Sequence, residues 1–132
     1  MQEPAIDPLD RVDTLAKIGA SLIGVQIEAV QISPAAIAAD SFVFGYCFGL
    51  FDAMAQMAGL EQFTEGVALM GAGFGKIIDN TAAGPQLFHQ ALEMQDDADF
   101  HAGSETGGED LAAWAADADV LPAGIARRGR AR

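Results

Sequence analysis

Basic residues are scarce in this sequence. Seven lysines and arginines stand against 19 aspartates and glutamates, which gives a formal net charge of −12. Four of the seven lie in the last six residues, at Arg127, Arg128, Arg130 and Arg132, so residues 1–126 hold three cations, all 19 acids and a net charge of −16. Affinity for nucleic acid comes largely from cations that contact phosphates. The charge therefore argues against a nucleic-acid ligand, and it favours a basic protein partner or simple solubility.

Cysteine and histidine are also scarce, and this excludes several kinds of site. Cys47 is the single cysteine, so the chain cannot form an internal disulfide, and in its apolar stretch the thiol behaves as a small hydrophobe. His89 and His101 are too few for a transition-metal site or for the activation of a cysteine nucleophile. We therefore predict no metal, no cofactor and no catalytic residue, and we favour a non-catalytic protein over an enzyme.

Two stretches resemble ligand-binding loops but lack required residues. Residues 71–76 place glycines before a lysine, yet Ile77 stands where a phosphate-binding loop needs serine or threonine. Residues 97–108 begin like a calcium loop, but Gly108 stands where such a loop needs its bidentate glutamate. Neither nucleotide binding nor a calcium-binding helix–loop–helix is predicted.

The sequence has no long apolar run free of charge. The longest, residues 41–51, has 11 residues, whereas a membrane span needs ~20. The start of the chain lacks the basic-then-apolar order of a secretory signal, so we expect a cytoplasmic protein. One alternative stays open, a membrane-inserted hairpin. Gly45 and Gly49, like Gly71 and Gly75, have the four-residue spacing used by close helix pairs in lipid.

The most apolar stretch is residues 42–59, in which Asp52 is the single charged residue. Its apolar residues recur at steps of three and four, which is typical of a helix. Each interior glycine costs a helix about 1 kcal/mol relative to alanine. We therefore expect another backbone to approach closely at Gly45 and Gly49, although the glycines could instead only bend the helix. A helix that is apolar on nearly every side must be covered by its own chain, a partner or lipid.

Helix signals along the chain predict an all-α bundle. The four main helices span about 8–32, 34–59, 64–79 and 85–95, and a short helix lies near 110–118. Prolines at the first helical position and a Ser33-Pro34 break support these boundaries. The short link at this break favours an antiparallel hairpin of the first two helices, with one kinked helix as the alternative. The first helix has an apolar stripe made of Leu15, Ile18, Leu22, Val25, Ala29 and Ile32.

The composition changes after residue 95. We predict a bundle domain at 1–95 and a tail at 96–132, in which about 96–108 form a flexible acidic linker because acids alternate with glycines there. The tail then contains the short helix and a basic end. Two large apolar residues and a cluster of arginines make the tail a candidate peptide that docks on a partner protein. The alternative is an inert tail that only increases solubility. The tail docking residues are Leu111, Trp114, Arg127 and Arg128.

These patterns favour an interaction or structural protein that self-associates, as a dimer first of all, or binds a protein partner. The predicted surface is the glycine-rich pair formed by the second and third helices, together with the tail. Asp52 could be a carboxylate in a pocket, a polar group that fixes helix register, or an exposed side chain. The alternatives to self-association are the membrane hairpin and a binder of small apolar ligands with a pocket near Asp52. The predicted packing or interface residues are Gly45, Phe48, Gly49, Asp52, Gln56, Gly71 and Gly75.

Overall fold

The structure is a computed structural model that describes residues 8–60 and 63–131, and no strand occurs in these ranges. The predicted all-α bundle is confirmed. The described residues form six α-helices, with 3₁₀ helices at Pro34–Ala39 and Thr81–Ala83 before the second and the fourth. The helices are α1 (Pro8–Ala29), α2 (Ser41–Met57), α3 (Phe63–Ile77), α4 (Gly84–Glu93), α5 (Ala98–Ala116) and α6 (Gly124–Ala131).

The first three helices end in the same way. In each, a backbone N–H beyond the helix donates to the carbonyl five residues earlier, and the residue before the donor has a left-handed backbone, as in a Schellman cap. The left-handed residues are Gln31 (φ 61°), Gly59 (φ 70°) and Asp79 (φ 54°). The first of these caps ends α1 at Ala29, before Pro34, which was expected to set the end of the helix.

The single helix predicted at 34–59 is interrupted at Asp40. The Asp40 backbone is extended, and its carboxylate accepts hydrogen bonds from the N–H groups of Phe42 at 3.1 Å and Val43 at 3.2 Å. This side chain therefore begins α2, and the residues before it form a 3₁₀ helix instead. Because this segment separates α1 from α2, the predicted direct hairpin is not formed, and α1 packs mainly against α3.

The buried face of α1 differs from the predicted stripe. Val25, predicted to face the core, is 69% exposed, whereas its neighbour Gln26 is buried. Small residues on the buried face bring α1 close to its neighbours. A Cβ atom on Gly19 of α1, or on Gly73 of α3, would overlap the ring of Phe51 from α2. The two glycines thus form a slot for the fully buried Phe51 ring. This contact fixes the rotation of α1 about its own axis, so that Gly19 faces the core.

Helix α5 corrects the flexible linker predicted at 96–108. Asp97 caps α5, because its carboxylate accepts a hydrogen bond from the Phe100 N–H at 2.9 Å. The helix continues without interruption to Ala116 and packs along α2. Two of the glycines that resemble a linker in the sequence, Gly103 and Gly107, lie in this contact.

Candidate functional site

Helices α2 and α5 meet through two glycine pairs, each with four-residue spacing. A Cβ atom on Gly45 would overlap the carbonyl oxygen of Phe100, and one on Gly49 would overlap that of Ser104. The α5 glycines meet α2 in the same way, since Gly103 lies against Phe42 and Gly107 against Tyr46, again at carbonyl oxygens. Backbone therefore lies directly on backbone, and the predicted interface glycines of α2 are covered by the chain's own α5.

The glycines of α3 receive the start of α4. Gly71 lies against Pro85, with 3.7 Å from a Cβ position on Gly71 to the nearest proline atoms, and a Cβ atom on Gly84 would overlap the Gly71 carbonyl oxygen. Gly75 lies against Thr81, at 3.2 Å by the same measure. The structure thus pairs the α3 glycines with the segment that leads into α4, and not with the glycines of α2.

A buried polar network fixes α6 on the bundle. The Gln26 amide donates to the Tyr46 hydroxyl at 2.9 Å and accepts from the Ile125 N–H at 2.9 Å. The Tyr46 hydroxyl donates to the Asp110 carboxylate at 2.6 Å, and the Gly124 N–H donates to the same carboxylate oxygen at 2.9 Å. Side chains of α1 and α5 therefore satisfy the first N–H groups of α6, which has no such partners within its own turn.

The predicted tail docking residues lie against their own chain. Leu111 is buried, and Trp114 is half-buried against the core. An Arg127 nitrogen lies 3.6 Å from a carboxylate oxygen of Asp110, and the Arg128 guanidinium lies 4.2 Å from the centre of the Phe42 ring. Within the described residues, these side chains hold α5 and α6 to the bundle.

The network and its surroundings keep two ionisable groups in their neutral forms. Burial, followed by the hydrogen bond to Asp110, raises the pKa of Tyr46. Burial likewise raises the pKa of the Cys47 thiol. A buried neutral thiol is a poor nucleophile, so the environment of Cys47 suits a packing role.

The remaining predicted site residues lie at the edge of an open groove. This groove has a volume of about 270 Å³ and runs between α2, α3 and α4. Asp52 is exposed at its rim, where its carboxylate accepts a hydrogen bond from the Gln56 amide at 2.9 Å. The half-buried Phe48 forms part of the wall, 5.6 Å from the Phe100 ring. The groove is lined by Phe48, Asp52, Ala55, Gln56, Leu60, Phe63, Gly66, Val67, Met70, Phe88 and Leu92.

Two features of the groove bear on its use as a binding surface. Phe63, at its mouth, is 82% exposed. Gly66 lies one turn later in α3, and a Cβ atom on it would meet nothing within 4 Å. A helical glycine costs about 1 kcal/mol relative to alanine, and none of the residues at 8–60 or 63–131 requires one here. The missing side chain leaves the groove open.

Comparisons with protein families, with curated proteins and with solved structures each find no match. The candidate site therefore depends on its geometry alone. In the described part of the chain, no three histidine, cysteine, aspartate or glutamate side chains are grouped so that they could hold a metal ion. None of the helices at 8–60 or 63–131 is both long and apolar enough to cross a membrane.

The groove contains residues that sequence analysis did not select as site residues. One of them is Phe63, which is exposed at the mouth of the groove. Phe63, Gly66, Val67 and Met70 do follow helical spacing, so a stripe was visible in the sequence. Which part of that stripe is covered depends on where α4 lies, and spacing does not give this.

Proposed function

We propose that the protein is a non-catalytic interaction protein that self-associates through the groove between α2, α3 and α4. The supporting observation is the exposed Phe63 beside an apolar groove on one surface. In a two-fold symmetric contact the same patch of both copies meets, so each copy can insert its protruding group into the other's groove. Phe63 supplies the protruding group, and the space over Gly66 supplies the place for it.

The charge distribution favours this face for a contact between two copies. The chain has a net charge of −12, so most of its surface repels a second copy. Among the described residues that line the groove, Asp52 alone is charged, and its carboxylate is bonded to Gln56. Two copies that meet here bring few carboxylates together.

Phe63 is the expected anchor of the contact. Full burial of a phenylalanine side chain contributes about 1.5–3 kcal/mol, and the symmetric contact buries it twice. Large apolar anchors in well-packed pockets supply most of the binding free energy of many interfaces. The half-exposed Leu92 of α4 adds apolar area beside it.

Light scattering on the purified chain tests the proposal. At micromolar concentration we expect a mass of twice 13.7 kDa, and we expect Phe63→Asp to reduce it to the mass of one chain. Val25→Asp is the matched control, because Val25 is also exposed (69%) but lies on α1 outside the groove. A monomeric wild type, or a Phe63→Asp variant that keeps the mass of two chains, would contradict the proposal.

The groove also suits a second candidate function, the binding of a small apolar ligand beside Asp52. Its volume of about 270 Å³ lies just below the usual range of ligand cavities, which is about 300–1,000 Å³. A fluorescent apolar dye provides the test. Saturable binding to a monomeric wild type, lost in Gly66→Leu, would favour this function over self-association, and absence of binding would exclude it.

A further inference from the structure

A second cavity lies at the C-terminal end of α3, whereas the groove lies along the first half of that helix. It is a trough of about 580 Å³ between α1, the 3₁₀ helix that follows it, and the end of α3. Its apolar wall includes Ile27, Ile32, Pro34 and Ile77. It runs along α1 from Ala20 to Glu28, a distance of about 12 Å at 1.5 Å per residue, and continues past the end of the helix to Pro34.

Positive charge is concentrated at one end of this trough. The chain has two lysines, and both lie there, because Lys76 lines the trough and also a shallow depression that continues it past Ala20 to Lys17. Asp13 bridges the two, at 2.8 Å from the Lys76 ammonium and 3.1 Å from that of Lys17. These hydrogen bonds lower the pKa of the Asp13 carboxyl, so it stays ionised. Two lysines and one aspartate leave one net positive charge.

The other end of the trough carries the opposite charge. Glu28, on the last turn of α1, lines that end together with Gln31. An elongated ligand with one anionic group is attracted at the lysine end and repelled at the Glu28 end. The trough therefore distinguishes between the two orientations of such a ligand.

Gly24 supplies an independent observation. It lies in the interior of α1, lines the trough, and a Cβ atom on it would meet nothing within 4 Å. Gly19, five residues earlier, is explained by the ring of Phe51, whereas Gly24 has no such neighbour. An interior helical glycine costs about 1 kcal/mol relative to alanine. Its effect here is to keep the wall of the trough open.

We infer that the trough between α1 and α3 binds an aliphatic monocarboxylate, with its chain over Gly24 among the isoleucines and its carboxylate at Lys76. A single negative charge matches the single net positive charge of the lysine end. The length of the trough suits a fatty-acid chain of medium length. The groove proposed for self-association shares no lining residue with this trough, so the two inferences stand or fall separately.

Calorimetric titration with decanoate tests the inference, with decanol as the neutral probe of the same chain length. Wild type should bind decanoate saturably, and Gly24→Leu should abolish binding because its side chain fills the trough. Lys76→Gln should weaken decanoate binding about fivefold, the effect of one partly exposed ion pair, and leave decanol binding unchanged. Gly66→Leu, in the other cavity, is the matched control and should bind decanoate as wild type does.

Three results would overturn the inference. These are no saturable binding of decanoate to wild type, undiminished binding to Gly24→Leu, and equal affinity of wild type and Lys76→Gln for decanoate. If Gly24→Leu does not fold, as judged by circular dichroism, the Lys76→Gln comparison still decides the question, because it replaces no residue of α1 and alters only a partly exposed ion pair.

Discussion

Gln26 shows how much one residue can do in this fold. Its side chain, 3% exposed, joins α1 to the Tyr46 hydroxyl of α2 and to the first N–H groups of α6. Gln26 lies off the apolar stripe predicted for α1, as glutamine usually does. Its burial follows from partners that lie 20 and 99 residues away along the chain, and no local pattern contains them.

Replacement of Gln26 should therefore destabilise the protein strongly. Gln26→Ala leaves the buried Ile125 N–H without a partner, and an unsatisfied buried donor costs about 1–3 kcal/mol. We expect a loss of about 2 kcal/mol in the free energy of unfolding, measured with urea. Gln56→Ala is the control, because Gln56 is exposed, and it should change stability by less than about 0.5 kcal/mol. Equal effects of the two substitutions would show that the network does not hold α6.

The raised pKa of Tyr46 predicts a dependence of stability on pH. The fold favours the neutral phenol, so this contribution is complete below about pH 10, where tyrosine ionises in the unfolded chain, and it decreases as the pH rises further. Above pH 10 the ionisation of this tyrosine lowers the free energy of unfolding by about 1.4 kcal/mol per pH unit. The free energy of unfolding of Tyr46→Phe, compared with wild type between pH 9 and 11, should decrease less steeply. If the free energies of unfolding of the two proteins decrease with pH at the same rate, Tyr46 does not contribute as proposed. The buried Cys47 thiol also favours the neutral form in the fold, but it is present in both proteins and affects them alike.

At the scale of the helix, α5 is where prediction from sequence failed. Its acids and glycines have the composition of a linker, and helix propensity alone gives no reason for a helix. Contact with α2 stabilises the helix. The glycines have no side chain, so the two backbones can approach closely without steric overlap. A signal was present, since Phe100, Gly103, Gly107, Leu111 and Trp114 recur at steps of three and four. This pattern predicts a buried helix face only if glycine is counted among the residues that face the core.

Neighbouring glycines of α5 provide a test of this packing. A Cβ atom on Gly107 would overlap the Tyr46 carbonyl oxygen, whereas one on Gly108 would have its nearest neighbour, the Gly49 carbonyl oxygen, at 3.8 Å. Gly107→Ala should therefore lower the free energy of unfolding by at least about 2 kcal/mol. Gly108→Ala should raise it by up to about 1 kcal/mol through helix propensity. Thermal unfolding of the two variants checks this, and similar midpoints would refute close packing of α2 on α5.

For the whole molecule, the fold class followed from helix signals, but the assignment of helices to partners did not. Helix signals in the sequence gave α3 and α4 nearly their observed bounds. The sequence left open whether its own chain, a partner or lipid covers α2, and α5 covers this helix along its glycines. Among the described residues, Phe63 and Leu92 are exposed at the mouth of the groove, and Phe63 is the most exposed of the large apolar side chains; Val25, Met57, Val120 and Leu121 are exposed elsewhere. The number of apolar residues in a helix does not show whether other helices cover it, because this depends on how the described helices are arranged around one another.

The central claim is that contact with another copy occurs at the groove, and not at the glycine-lined face of α2. Sedimentation equilibrium of wild type, Gly66→Leu and Gly24→Leu tests it most directly. Both substitutions add the same side chain at a helical glycine without neighbours, and Gly66 alone of the two lines the groove. We predict the mass of two chains for wild type and Gly24→Leu, and that of one chain for Gly66→Leu. A wild type with the mass of a single chain, or a Gly66→Leu variant that still has the mass of two, would contradict the claim.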